Sequence, residues 1–269
     1  MSARLLTVAA AALIAGCATA PTPREPITVH AAGSLRAAMT DLARAFEAAQ
    51  GTPVKLNFGA SGLLRDRLAA GEVSQIFASA NMEHPQALQK AGVAVRVEPF
   101  ASNALCALAQ PGFTLKGQTL AQRLLDTGLR VGISTPKADP AGDYAFRMFE
   151  LIESTGAAGP GSTAALKSRA LQLTGGPNSP PPPTNRNVYG AIMAAGQADV
   201  FITYCTNAAI ARREVPSLQV LAVPAGINVS ARYGMALMKP EVPAAAAFMR
   251  FVQSQPGQAV LATHGFTPP

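Results

Sequence analysis

The feature that most narrows what this chain can become is a repeated unit: an apolar run, a turn of small residues, then an amphipathic helix. Residues 27–31 (Ile-Thr-Val-His-Ala) are the first run and Ala32-Gly33-Ser34 the turn, after which Leu35, Met39, Leu42 and Phe46 are spaced for one helix face. The unit recurs at 54–58 (Val-Lys-Leu-Asn-Phe), with the turn Gly59-Ala60-Ser61-Gly62 and a helix carrying Leu63, Leu64, Arg67 and Leu68. Residues 75–78 supply a third strand. Consecutive strand-helix-strand units predict a mostly parallel sheet with right-handed crossovers, and such sheets bind ligands at the carboxyl ends of their strands. Those ends are where the serine-bearing turns fall.

A second set follows. It has a strand over 104–109, a loop at Gln110-Pro111-Gly112, a short helix over 120–125 and a strand over 130–134. The turn Asp139-Pro140-Ala141-Gly142 leads into a helix with Tyr144, Phe146, Phe149 and Ile152; Pro140 sits in the first turn, where a missing N–H costs nothing. Residues 175–183 hold five prolines and predict a stiff surface insertion. Beyond it, Asn187-Val188 opens another helix, and 199–204 reads as a buried strand. Strands over 218–223 and 232–238 and helices over 242–253 and 257–263 complete the chain. The expected architecture is α/β, in two lobes: 27–103 with 234–269, and 104–233 inserted between them.

With 49% hydrophobic and 14% charged residues over 269 positions, the chain can bury one good core or two modest ones, which excludes disorder and coiled coil. The charge of +7 is not concentrated in runs, and with no Trp and four Tyr there is neither the basic stripe nor the stacking surface of a nucleic-acid binder. An anionic small ligand suits the surplus better. No Ser-His-Asp arrangement, paired carboxylates or metal-ligand spacing stands out, and His30, His84 and His264 are isolated from one another. A cleft enzyme built on Cys205 or Tyr204 would need a base, and the adjacent motifs offer none. The sequence therefore predicts no enzyme, no cofactor and no metal.

The amino end reads as an address. Arg4 precedes an apolar run of roughly a dozen residues, short of the ~20 that span a bilayer. It ends Leu13-Ile14-Ala15-Gly16-Cys17, which is similar to the lipobox of bacterial lipoproteins, whose Cys is acylated. Residues 1–16 are then a signal peptide, Cys17 a lipid anchor and 17–26 a tether; the alternative is ordinary cleavage near Ala18-Thr19-Ala20 and a soluble periplasmic protein.

Taken together, Ala31-Ala32-Gly33-Ser34-Leu35, Phe58-Gly59-Ala60-Ser61, 76–81, Asp139-Pro140-Ala141-Gly142-Asp143-Tyr144, Val188, 200–204 and Gly265-Phe266 resemble the molybdate-binding proteins that feed bacterial ABC importers. The resemblance runs from Ile27 to Phe266. It implies a two-lobed type II periplasmic solute-binding fold, a monomer that hands its ligand to the membrane subunits of an ABC transporter, and a tetrahedral oxyanion, molybdate or tungstate, held between the lobes. The matching ligand positions are Ser34, Ser61, Ala141, Val188 and Tyr204. In the implied fold the strand entering lobe II at Cys106 lies antiparallel beside the strand ending at Cys205, which predicts a Cys106–Cys205 disulfide in an oxidising compartment.

The chemistry of such a guest agrees. A fully ionised tetrahedral dianion has acceptors and no proton, so its host should offer donors alone. Hydroxyls and backbone amides meet that demand, and the expectation is that no carboxylate enters the site, which argues against hydrogen phosphate. Sulfate, thiosulfate or an organic anion remain alternatives. Arg36, Arg65 and Arg186 lie near the turns and are expected to raise the local potential or pair at the surface. Two departures from the family pattern stand out: Gln75 replaces an acidic residue, and the proline-rich insertion precedes Val188, where it could displace that donor or bring in Asn187 or Arg186.

Overall fold

The computed structural model describes residues 24–184 and 186–269. The signal segment and Cys17 lie outside the described residues, as does most of the tether.

Two five-stranded sheets share one topology. The first uses β1 (Ile27–Ala32), β2 (Val54–Gly59), β3 (Ile76–Ser79), β4 (Ala94–Asn103) and β10 (Ala231–Met238), in the order β2-β1-β3-β10-β4. The second uses β5 (Leu105–Ala109), β6 (Val131–Ser134), β7 (Leu171–Thr174), β8 (Val200–Tyr204) and β9 (Gln219–Ala222), in the order β7-β6-β8-β5-β9. Each sheet is mixed, with four strands running one way, as the mostly parallel expectation has it, and one reversed. β1 runs parallel to β2 and β3, but β10 runs antiparallel to both β3 and β4. Likewise β6 is parallel to β7 and β8, and β5 is antiparallel to β8 and β9. The cause is the connection between sheets: β4 runs directly into β5, and β10 enters the first sheet from the opposite end to the helix-linked strands.

The chain passes from one sheet to the other at Ala104 and returns at Ala231, which already pairs with Asn103. That return is three residues ahead of the expected lobe boundary at 234. Cys205, the residue that follows β8, and Cys106, in β5, have their Sγ atoms 2.02 Å apart.

Helices cover the sheets because their apolar spacing demands it. α1 (Arg36–Gln50) buries Met39, Leu42 and Phe46, and Phe46 meets Phe248 of α9 (Pro243–Gln253) edge to face at 5.1 Å. On the opposite face of that sheet, α2 (Ser61–Ala69) and α3 (Glu83–Lys90) pack Leu64, Leu68 and Leu88 around Phe77. In the second lobe α5 (Pro140–Ser154) buries Met148, Phe149 and Ile152, while α7 (Val188–Ala194) and α8 (Cys205–Glu214) close the other face with Tyr189, Met193, Ala208 and Ala211. Neither β4, α3, α8 nor the pair α6 (Ser162–Arg169) and β7 is announced by the sequence pattern. Strand β4 carries Arg96, Glu98 and Pro99, and it is an edge strand, the position where proline and charge are tolerated.

Candidate functional site

The carboxyl ends of β1, β2 and β3 face those of β6, β7 and β8 across a cleft of about 610 Å³. Ser34, Ser61, Val188 and Tyr204 line it. Each is placed by a strand ending: Ser34 in a single 3-10 turn after β1, Ser61 as the first residue of α2 after β2, Tyr204 as the last residue of β8, and Val188 at the start of α7.

The two serines are arranged as donors. Asn103 at the end of β4 accepts the Ala104 N–H through Oδ1 (2.9 Å), which fixes its Nδ2 as a donor, and that nitrogen lies 3.4 Å from Tyr233 Oη. Tyr233 Oη in turn lies 3.0 Å from Ser34 Oγ. Tyr233 is fully buried, and burial holds its phenol well above the usual range, so the hydroxyl keeps its proton. The direction that satisfies every group runs from Asn103 to Tyr233 to Ser34, leaving the Ser34 proton for the cleft. At Ser61, itself buried, the Ala80 N–H donates to Oγ at 3.1 Å and occupies a lone pair, so its proton is also unspent.

Tyr204 crosses between lobes: its hydroxyl donates to the Ala80 carbonyl at 3.3 Å, long enough to be exchanged for a better acceptor. Burial, reinforced by the neighbouring Tyr233 and Tyr144, keeps it neutral. The Val188 N–H, at the first helical position, has no acceptor within its own helix, and Asn187 caps that helix by accepting from Gly190 N–H at 3.0 Å. The proline-rich segment thus leaves Val188 at the cleft. It is not a free surface insertion, because Ser179 and Pro180 to Pro182 form one wall of the cleft, alongside Arg186 and Asn187.

Two expectations need correction. Ala141 does not present a free N–H: it donates to Asp139 Oδ1 at 3.0 Å, the N-cap of α5. And the site is not devoid of carboxylates, because both Asp139 and Glu214 line the cleft. Both departures come from capping, since a side chain that satisfies a helix opening stands where a ligand would stand. Burial pushes Asp139 up to about 6, against the pull of the Ala141 N–H and the Ser134 hydroxyl. For Glu214, burial acts upward, but the Asn187 N–H and the Arg186 guanidinium (Nε to Oε1, 2.7 Å) outweigh it and hold the group below its usual range.

The arginines divide. Arg36 lies 4.4 Å over the Phe58 ring, on the cleft wall. Arg186 pairs with Glu214, and Arg65 pairs with Asp66 and approaches His84 Nδ1 at 3.3 Å, off the cleft. Gln75, where an acid was expected, accepts the Thr28 N–H at 2.7 Å. His30 and His264 contact Glu72 and Asp41, and among the described residues no group of three His, Cys, Asp or Glu could hold a metal ion.

The lobes touch where backbone meets backbone. Gly62 N–H donates to Ala138 O at 2.8 Å, and a Cβ at Gly62 would stand 2.4 Å from Lys137 O. Sequence reasoning overlooked Tyr233, Asn103, Ala80 and the cleft role of Asp139. The Asp139-Pro140 pair was a visible signal for the last.

Residues 27–267 match a protein family described as bacterial extracellular solute-binding protein. An uncharacterised protein of Pasteurella multocida is 36% identical over 245 residues, covering 89% of this chain and 98% of its own. A molybdate-binding protein of Mycobacterium tuberculosis is 27% identical over 247 residues, covering 90% and 85%. Among solved structures, a sulfate-binding protein of the same organism superposes with a TM-score of 0.77 at 20% identity, covering 91% of this chain and 87% of its own.

Proposed function

This chain belongs to the bacterial extracellular solute-binding proteins, and we propose that its interlobe cleft captures a tetrahedral oxyanion, molybdate or its near twin tungstate, for delivery to the membrane subunits of an ABC importer. Family members are solute-binding proteins rather than enzymes, and no helix among the described residues is long and apolar enough to cross a membrane.

One observation carries the ligand reading. Ser34 and Ser61 have oxygens already engaged by protein donors and protons to spare, and they face the cleft together with the neutral Tyr204 hydroxyl. Such a set rewards a guest that only accepts. Neutral donors also add no buried cation of their own to the empty cleft. Closure of the lobes over the guest follows if the closed form binds it better.

The molybdate-binding relative supports the choice of oxyanion. The structural likeness to a sulfate-binding protein favours sulfate as the second reading, with thiosulfate in the same class. Titration calorimetry against molybdate, tungstate, sulfate and phosphate decides: heat with molybdate or tungstate is expected, and heat with sulfate but not molybdate would overturn it. We further propose that the protein works as a monomer tethered by an acylated Cys17, for which a lipid mass increment on an amino-terminal Cys17 peptide is the test.

A further inference from the structure

The reading above leaves Asp139 unexplained. It lines the cleft, half-buried, with Oδ1 accepting the Ala141 N–H as the N-cap of α5. Around it are the Ser134 hydroxyl from β6, the Tyr189 phenol from α7, the Tyr204 phenol from β8 and the backbone of Gly175 after β7. Gly175 takes a left-handed φ of 79°, and a Cβ there would stand 2.5 Å from Asp139 Oδ2, so the chain is drawn close against this carboxyl. The charged neighbour that acts on Asp139 is Asp143, which favours its protonated form. Lys137 gives its backbone N–H to Asp143, and the cleft arginines are occupied elsewhere, Arg36 over Phe58 and Arg186 on Glu214. An ionised Asp139 thus has no neutralising cation among the described residues.

A doubly charged guest without a proton cannot sit in the cleft beside an ionised Asp139 carboxylate without strong repulsion. A protonated carboxyl reverses the interaction, because its O–H becomes one more donor. Resting on the oxyanion reading, we propose that Asp139 sets the protonation class of the guest. A proton-free dianion such as molybdate or sulfate binds together with one proton that ends on the Asp139 carboxyl. A guest that carries its own proton, such as hydrogen phosphate, donates it instead to the ionised carboxylate. In the first case the balance is carboxylate plus proton plus dianion giving the neutral acid hydrogen-bonded to the dianion; in the second no proton is exchanged with solvent.

The sign of the linkage follows. Free Asp139 titrates near 6, and a bound dianion raises it further, so affinity for molybdate is highest below that pH and falls as the pH rises, by about tenfold per unit while one proton is taken up.

The test is calorimetry of the full mature chain with sodium molybdate, sodium sulfate and inorganic phosphate between pH 6 and 8, in two buffers of different ionisation heat. For molybdate or sulfate, wild type should weaken about tenfold between pH 7 and 8 and take up close to one proton per site. Asp139→Asn should bind with no slope and no proton uptake. Proton counting on wild type stands by itself if the variant fails to fold. Molybdate or sulfate binding with a flat profile and no uptake overturns the inference while leaving the oxyanion reading standing. Phosphate bound at pH 8 without proton exchange, with no heat from molybdate, overturns the molybdate reading and supports the role of Asp139. Silence with every oxyanion overturns both.

Discussion

Gly62 gives the sharpest prediction because helix propensity and lobe closure pull Gly62→Ala in opposite directions. Gly62 lies in the first turn of α2, where alanine gains at most the ~1 kcal/mol over glycine of a helix interior, a gain felt within lobe I whether or not the lobes are closed. Across the cleft the added Cβ would lie 2.4 Å from Lys137 O and 2.8 Å from Ala138 O, where ordinary contact begins at 3.4 Å. The lobes must therefore part by about 1 Å at this point, which breaks the 2.8 Å bond from Gly62 N–H to Ala138 O. That bond is worth about 0.5 to 1.5 kcal/mol, and residual crowding adds about 1 kcal/mol or more. The open form escapes these costs and the closed form does not, so they appear in ligand affinity. A total of about 1.5 to 2.5 kcal/mol predicts a loss of roughly 10- to 70-fold. Calorimetry with molybdate, alongside thermal melts with and without it, separates the terms: the melting temperature of the free protein should not fall, while the shift produced by ligand should shrink. Unchanged affinity in Gly62→Ala would refute the reasoning, since the bound form would then not bring these backbones together.

Other consequences follow from single groups. Ser61→Ala removes a donor to a charged guest and leaves the Ala80 N–H unpartnered, so molybdate affinity should fall roughly 10- to 150-fold, equivalent to about 1.5 to 3 kcal/mol, as calorimetry would show. Reducing the Cys106–Cys205 link reopens a span of 99 residues, worth up to ~4.7 kcal/mol in the chain-entropy model, and should lower the melting temperature by roughly 10 °C or more. Two titratable thiols in the unreduced, unfolded mature chain would contradict the link. Burial, aided by Arg65, holds His84 down to about 4, so between pH 6.5 and 4 the unfolded chain binds the extra proton. Stability should therefore decline as pH falls through that window. Chemical denaturation at several pH values should show a shallower decline in His84→Gln.

What the sequence disclosed was local. Strand, small-residue turn and helix follow one another within about twenty residues, so Ser34 and Ser61 could be placed at strand ends before any tertiary contact was known. Tyr233 could not, because its bond to Ser34 joins residues 199 positions apart and exists only because β10 lies antiparallel beside β3. Strand β4 was hidden by Pro99, which pairs opposite Gly234 where the register shifts, a place that tolerates the lost N–H. Asp139 was in plain view, but a cap next to Pro140 reads as helix chemistry. That the capping carboxyl also lines the cleft is a fact of how the second lobe is turned. The proline-rich segment was legible as stiff, yet its position as a cleft wall depends on where β7 ends.

The proposed grip of donors from both lobes on one tetrahedral oxyanion can be seen directly. Crystals grown with tungstate, a heavy scatterer, test it most directly. A single anomalous peak is expected in the interlobe cleft, with guest oxygens about 3 Å from Ser34 Oγ, Ser61 Oγ and Tyr204 Oη. A peak in the open groove beside Lys116 and Arg123, with the cleft holding none, would contradict it.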